Sequence, residues 1–154
     1  MRLVDFVVKD SLVPDLRAET KEEAIRILVH SLLEAGRVQI PEYENIVKAI
    51  LKRETLGTTG IGGGVAIPHA RHTSIERLIG TIGVVPKGIG FDSKDGKPVH
   101  VIVLIISPHD RPGDHLRALE NVSSALRRED FVSRLKAATS RCELELLLDI
   151  APGT

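Results

Sequence analysis

The feature that most restricts the possible folds of this 154-residue chain is an uninterrupted apolar run, residues 101–106, which reads VIVLII. A strand with one face in water alternates apolar and polar residues, so a continuous run predicts a central strand covered on both faces. Two amphipathic helical segments precede the predicted strands, and more follow them. A length of 154 residues suits a single hydrophobic core. We therefore predict an α/β fold, a mixed β-sheet sandwiched by α-helices, in a single domain spanning residues 1–154.

The strands are predicted from short apolar segments bounded by turn residues. They cover residues 64–67, 78–85 and 99–106. Residues 87–98 join the last two strands and contain Asp95-Gly96, a frequent hairpin dipeptide, so these strands are predicted to be antiparallel neighbours. Two apolar runs within residues 4–16 predict an early strand and a loop.

Helix boundaries are predicted from capping residues. In chain order the start signals are a capping box of Thr20 with Glu23, then Pro41, Asp114, Asp130, and a capping box of Ser140 with Glu143. Gly36 is predicted to end the first helix. The helix that starts at Asp114 is predicted to turn four apolar residues inward, Leu116, Leu119, Val122 and Leu126.

The composition argues against several kinds of function. Lysine and arginine number 21 and aspartate and glutamate number 21, so no basic surface indicates nucleic-acid binding. No apolar run approaches the length of a membrane span, and residues 1–10 lack the apolar core of a signal peptide, so direct membrane insertion is not expected. The single cysteine, Cys142, fits a reducing compartment, and the cytoplasm is the expected location.

A glycine-rich segment next to a histidine carries the strongest chemical signal. Residues 51–71 read LKRETLGTTGIGGGVAIPHAR. The four glycines within residues 60–64 lack Cβ atoms, so backbone N–H groups can approach an anion closely. Pro68 fixes its own φ and favours an extended residue before it, so His69 is presented at a defined strand end. With Arg53 just upstream, the segment predicts a histidine that carries a phosphoryl group.

Cofactor and metal sites are not predicted. Val65 stands where a dinucleotide-binding fingerprint needs a glycine, and the chain contains no Gly-Lys-Ser or Gly-Lys-Thr for a phosphate-binding P-loop. His69 and His72 are the near histidine pair, and no clear third metal ligand follows them. His30 and His100 are predicted to be structural.

The glycine-rich segment resembles the active-site segment of enzyme IIA domains of the fructose–mannitol class, including nitrogen-type IIA proteins, in the bacterial phosphoenolpyruvate-dependent phosphotransferase system (PTS). The family pattern is a helix ending in Arg-Glu, then T-G-I-G-x-G-V/I-A-I-P-H, a small residue and a base. Here those positions are Arg53, Glu54, residues 59–69, Ala70 and Arg71. The resemblance extends over residues 12–150 and implies the mannitol/fructose-type IIA fold.

The resemblance implies a role for each matching residue. His69 is the expected phosphoryl-accepting nucleophile, and Arg53 is expected to stabilise the phosphoryl group. His115 is expected to bond the phosphoryl oxygens or orient His69, because the family's second histidine is followed by leucine before a helix. His109 competes for that role, although aspartate follows it. The expected phosphate-binding or supporting residues are Glu54, Thr59, Gly62 and Gly64.

The resemblance also implies the partners of the chain. As a phosphotransferase component, it would accept a phosphoryl group on His69 from phospho-HPr, or from a nitrogen-type HPr, and pass it to the cysteine of a IIB domain. The alternative is a nitrogen-type IIA regulatory protein, whose phosphorylation state controls binding to partner proteins without sugar transport. Because two partners must dock in turn, we expect a shallow depression with an apolar rim around His69.

Overall fold

The structure is a computed structural model that describes residues 2–152. Within these residues the helices are α1 (Leu3–Phe6), α2 (Lys21–Glu34), α3 (Tyr43–Thr55), α4 (Pro112–Ala125), α5 (Glu129–Ala137) and α6 (Arg141–Asp149). The strands are β1 (Gly60–Gly62), β2 (Val65–Ala66), β3 (His69–His72), β4 (Ile79–Ile89) and β5 (Val99–Pro108). No helix among the described residues is both long enough and apolar enough to cross a membrane.

Strand β5 lies at the centre of a mixed five-stranded sheet. Strand β4 pairs with it antiparallel, as predicted, and β2 and β3 both pair with it in parallel. Strand β1 pairs antiparallel with β2. The register of β2 on β5 ends at Ile102, and that of β3 begins with His69 opposite Ile105. Strands β2 and β3 therefore lie one after the other along the same edge of β5, and Ile67 and Pro68 form the break between them.

The two faces of β5 point into two apolar clusters. Val101, Val103 and Ile105 pack with residues of α4, α5 and α6, while the three residues that alternate with them pack with residues of α2 and α3. All six side chains of the VIVLII run are fully buried. The prediction of a central strand covered on both faces, within a mixed sheet sandwiched by helices, is therefore confirmed.

The N-terminal prediction was wrong. Residues 4–16 form no strand; they form α1 and a 3₁₀ turn, Lys9–Ser11, and isolated bridges connect Val7 with Gly80 and Val13 with Gly83.

Two of the predicted helix caps were also wrong. Helix α4 begins at Pro112, whose fixed φ suits a first turn, so Asp114 lies inside that turn and binds Arg117. Helix α5 begins at Glu129, one residue before Asp130.

The capping residues of α2 and α6 are confirmed. Thr20 Oγ1 accepts a hydrogen bond from the backbone N–H of Glu23, and Ser140 Oγ accepts one from the N–H of Glu143. In both helices the glutamate carboxylate returns to the residue before the cap, Glu19 or Thr139, instead of the cap itself. Gly36, with φ of +78°, follows the end of α2 as predicted.

Candidate functional site

His69 lies directly after the break between β2 and β3. Its Nδ1 is 2.8 Å from the backbone oxygen of Ile67. A carbonyl oxygen can only accept a hydrogen bond, so Nδ1 carries the proton and donates it. In the neutral ring the lone pair then resides on Nε2. The geometry therefore leaves Nε2 as the ring nitrogen of His69 with an available lone pair.

The surroundings of His69 favour the neutral ring. Burial lowers the pKa of His69 below its ordinary value of 6.5, and the positive charge of Arg53 lowers it further. The hydrogen bond to the Ile67 carbonyl and the negative charge of Glu54 act in the opposite direction and are outweighed. His69 is therefore unprotonated near neutral pH, the state in which an imidazole can attack phosphorus.

His115, in the first turns of α4, lies beside His69. The centroids of the two rings are 5.3 Å apart. Its Nδ1 shares a hydrogen bond of 2.5 Å with the hydroxyl of Ser107, a fully buried residue near the end of β5. Burial lowers the pKa of His115 to about 4, helped by the positive charge of Arg71 and by the charge that His69 carries when it is protonated. Both rings are neutral at pH 7, so they do not repel one another.

Arg53 and Glu54 lie in the last turn of helix α3 but point to different environments. Arg53 is half-buried, lines the cavity surface beside His69, and uses one Nη1–H on the Gly57 carbonyl at 3.0 Å. Glu54 is buried, and its carboxylate accepts hydrogen bonds from both the backbone N–H and the hydroxyl of Thr59. Arg53 therefore faces the site, and Glu54 and Thr59 support it from within the protein.

The glycines occupy a hairpin turn and do not line the site. Gly62, Gly63 and Gly64 all have positive φ, which side chains rarely tolerate, and they connect β1 to β2. The Gly64 carbonyl accepts hydrogen bonds from the N–H groups of His100 and Val101. Neither Gly62 nor Gly64 is among the residues that line the depressions at His69. The structure thus brings His69, His115, Arg53 and Thr59 together and leaves these two glycines apart.

His69 lies between two shallow depressions of about 560 and 620 Å³ that share Arg53, His69 and Leu119. The larger one includes Leu56 and Leu116, whose side chains are exposed by 79% and 57%. The prediction that Leu116 packs inward was therefore wrong: helix α4 buries a stripe of smaller residues, and those are Ala118, Val122 and Ala125.

His109 also lines the larger depression, with His69 and His115. His72, at the end of β3, uses its Nδ1 as an acceptor for the backbone N–H of Ser74. Within residues 2–152, no three histidine, cysteine, aspartate or glutamate side chains form a group able to hold a metal ion.

Sequence reasoning missed three contributors to the arrangement. The carbonyl of Ile67 orients the His69 ring, and Ser107 orients His115. Ser107 directly follows the VIVLII run, and a polar residue at the end of a buried strand was an available signal. Lys21, whose Nζ is 3.4 Å from Glu54 Oε2, gave no signal, because a lysine in a first helical turn is ordinarily solvated.

Comparison with known proteins identifies the family. Residues 5–149 match the family described as "Phosphoenolpyruvate-dependent sugar phosphotransferase system, EIIA 2". A nitrogen regulatory protein of Bradyrhizobium diazoefficiens is 30% identical over 154 residues, which cover 100% of this chain and 99% of that protein. The crystal structure of IIA-Ntr from Neisseria meningitidis has a TM-score of 0.84 at 26% identity and covers 94% of this chain and 97% of its own.

A second structural relative is the Escherichia coli complex of enzyme IIAMtl with phosphorylated enzyme IIBMtl. The matching chain has a TM-score of 0.74 and 25% identity, over 91% of this chain and 94% of its own. The relatives therefore include both sugar-specific and nitrogen-regulatory IIA proteins, and the shared fold is that of the mannitol and Ntr IIA proteins. The chain belongs to the EIIA 2 family of the phosphoenolpyruvate-dependent sugar phosphotransferase system.

Proposed function

We propose that this chain is a phosphohistidine carrier that accepts a phosphoryl group on Nε2 of His69. The observation that carries the proposal is the hydrogen bond from His69 Nδ1 to the Ile67 carbonyl, because it leaves the Nε2 lone pair available. The lowered pKa of His69 supports it, since the ring needs no base to become nucleophilic. We further propose that the carrier works in the cytoplasm, with phospho-HPr or a nitrogen-type HPr as donor.

Two transfers make up the proposed cycle. In the first, the Nε2 lone pair of His69 forms a bond to phosphorus as the bond to the donor's histidine nitrogen breaks, and that nitrogen keeps the electron pair. In the second, the thiolate of a IIB cysteine forms a bond to the same phosphorus as the bond to Nε2 breaks, and Nε2 keeps the electron pair. Arg53 would stabilise negative charge on the phosphoryl oxygens in both steps, and His115 would bond those oxygens or orient His69.

Intact-mass measurement tests the first transfer. Incubation with phosphoenolpyruvate, enzyme I and HPr is expected to add one acid-labile phosphoryl group to the wild-type protein and none to His69→Ala. His72→Ala removes a histidine from the same strand and is the matched control, which should still be labelled. An unlabelled wild-type protein, with donors that label a known IIA domain in parallel, would refute the proposal, and so would full labelling of His69→Ala.

The alternative function is nitrogen-type regulation, in which phosphorylation controls binding to a partner without sugar transport. The Bradyrhizobium relative, a nitrogen regulatory protein matched over 99% of its length, favours this route. The E. coli complex of IIAMtl with phosphorylated IIBMtl favours transfer to a IIB domain. Transfer of the label from the phosphorylated chain to a purified IIB domain would support the sugar route. Retention of the label, with a protein partner that binds only one of the two forms, would support regulation.

A further inference from the structure

A carboxylate–cation pair lies outside both depressions, between helices α2 and α3. Lys21, the first residue of α2, places its Nζ 3.4 Å from Glu54 Oε2 and 3.2 Å from Asp92 Oδ2. The Glu54 side chain is 3% exposed, whereas that of Asp92 is 87% exposed. Solvent weakens the pair with Asp92, so the pair with Glu54 is the shielded one. The Lys21 ammonium also lies 5.5 Å from the centroid of the Phe91 ring.

A continuous series of hydrogen bonds leads from this pair to the reactive histidine. The Glu54 carboxylate accepts from the N–H of Thr59 at 3.2 Å and from its hydroxyl. The Thr59 carbonyl accepts from the N–H of Ile67 at 3.0 Å. The Ile67 carbonyl in turn accepts from His69 Nδ1 at 2.8 Å. These bonds form one connected path along which a displacement of Glu54 would reach the His69 ring.

We propose that Lys21 is a positioning residue for His69, which it reaches through Glu54, Thr59 and the backbone of Ile67. A buried carboxylate without its cation is unfavourable, so loss of Lys21 would move or neutralise Glu54 and release Thr59. The inference rests on the proposed phosphoryl carrier function, but it concerns a residue that makes no contact with the depressions at His69.

The Lys21 ammonium also places a positive charge beside the Glu54 carboxylate. Arg53 and Glu54 are the charges that act on the pKa of His69, and the ring of His115 lies beside it. The two depressions at His69 are also lined by charged or titratable residues from the neighbouring elements: Lys52, Arg71, Lys94, His109, Glu120 and Arg127. The negative charge of Glu54 raises the pKa of His69, and the ammonium of Lys21 offsets part of that charge. Removing Lys21 while Glu54 stays ionised would therefore raise the pKa of His69, and the acid limb of the rate–pH profile would move to higher pH.

The test compares Lys21→Met, Lys21→Arg and a matched control, Lys9→Met. Lys9 also pairs with a carboxylate, that of Asp149 at 3.6 Å, but its side chain is 44% exposed. Two quantities are measured: the rate of phosphorylation by phospho-HPr, and the titration of the His69 ring by NMR. We expect Lys21→Met to slow phosphorylation on the order of tenfold, since misplacing a reacting group by about 1 Å can cost about a hundredfold. Lys21→Arg should restore most of the rate, and Lys9→Met should change neither quantity.

A double-mutant cycle separates positioning from a general loss of stability. Glu54→Gln removes the buried charge, so in that background Lys21→Met leaves no unpaired carboxylate and should fold. If Lys21 acts through Glu54, the second substitution causes no further change in rate or in the His69 titration.

An equal further loss in that background would overturn the inference, as would an unchanged rate and titration in Lys21→Met alone. The NMR titration needs no donor. If wild-type protein takes no phosphoryl group, the carrier function fails while the positioning role of Lys21 remains tested.

Discussion

His69 obtains its orientation from the backbone two residues before it. A proline at 68 has no N–H to continue the strand pairing, and the chain there places the Ile67 carbonyl within 2.8 Å of Nδ1. The neighbouring ring of His115 is held the same way by one oxygen, that of Ser107. Each imidazole thus has Nδ1 engaged by an oxygen of the protein, while burial keeps both rings neutral.

The lowered pKa of His115 predicts a loss of stability in acid. In the folded protein its pKa is about 4, against 6.5 for an unperturbed ring. Between these values the unfolded chain binds a proton at His115 that the folded chain does not. The contribution of His115 to the free energy of unfolding is therefore complete above pH 6.5 and is lost as the pH falls toward 4. Allowing for solvent screening of a half-buried ring, we expect about 1–2 kcal/mol from this residue.

Urea unfolding at pH 7 and pH 4.5 measures this effect. The free energy of unfolding of His115→Asn should fall less between the two pH values than that of wild type. His30→Asn, at a histidine whose side chain is 57% exposed, is the control and should behave like wild type. Equal losses in all three proteins would show that His115 does not titrate in the range given.

At the scale of the elements, sequence reasoning succeeded where a local signal decides the structure. The caps at Thr20 and Ser140 bind the backbone three residues onward and need nothing else from the fold. The prediction of an early strand failed because residues 4–16 bond to β4 only at separated positions, and their apolar side chains are buried by tertiary contacts that no local pattern encodes. Strand β1 was missed because it is a three-residue strand of two glycines and one isoleucine, and β3 because it is short and pairs with residues of β5 that are distant in sequence.

The residues of the candidate site were likewise predicted only in part. The resemblance of residues 51–71 pointed to His69, Arg53 and Thr59, which the structure brings together, and also to two glycines that lie in the β1–β2 turn instead. Position in a motif does not tell which residues face the cavity. The role of Lys21 could not be predicted from the sequence, because its partner, Glu54, lies 33 residues away on another helix.

The absence of a side chain at Gly83 allows α2 to pack closely on the sheet. A Cβ built at this position of β4 would lie 2.7 Å from Leu16 Cδ1 and 2.9 Å from Leu28 Cδ2, both fully buried. Because overpacking a core strains its neighbours, we expect Gly83→Ala to lower the free energy of unfolding by about 1–3 kcal/mol. Gly90→Ala, where a Cβ meets nothing within 4 Å, should change it by less than about 0.5 kcal/mol in the same urea experiment. Equal stability of the two variants would mean that α2 can shift to make room.

At the scale of the whole molecule, the sheet joins two apolar clusters that share no side chains. Both clusters include residues of β4 and β5, so neither can lose its sheet face without disturbing the other. If residues 1–154 form one domain, as expected from the sequence, the chain should unfold as one cooperative unit.

Two probes on opposite faces can test that cooperativity. Tyr43, the chain's single tyrosine, packs against the cluster of α2 and α3, and Cys142, its single cysteine, is exposed on α6. We expect tyrosine fluorescence and a dye attached to Cys142 to give the same urea midpoint, because two-state unfolding exposes both faces together. Separate midpoints would divide the molecule into two folding units.

The break between β2 and β3 has a consequence for how other proteins could recognise the state of His69. A phosphoryl group on Nε2 would leave the Nδ1 hydrogen bond to Ile67 in place, and the strand that carries the ring is fixed by its pairing with β5. The free and phosphorylated forms would then share one backbone. What differs between them is the electrostatic potential of the two depressions, where negative charge would be added beside Arg53. A partner that distinguishes the forms must therefore place its own charges directly over His69.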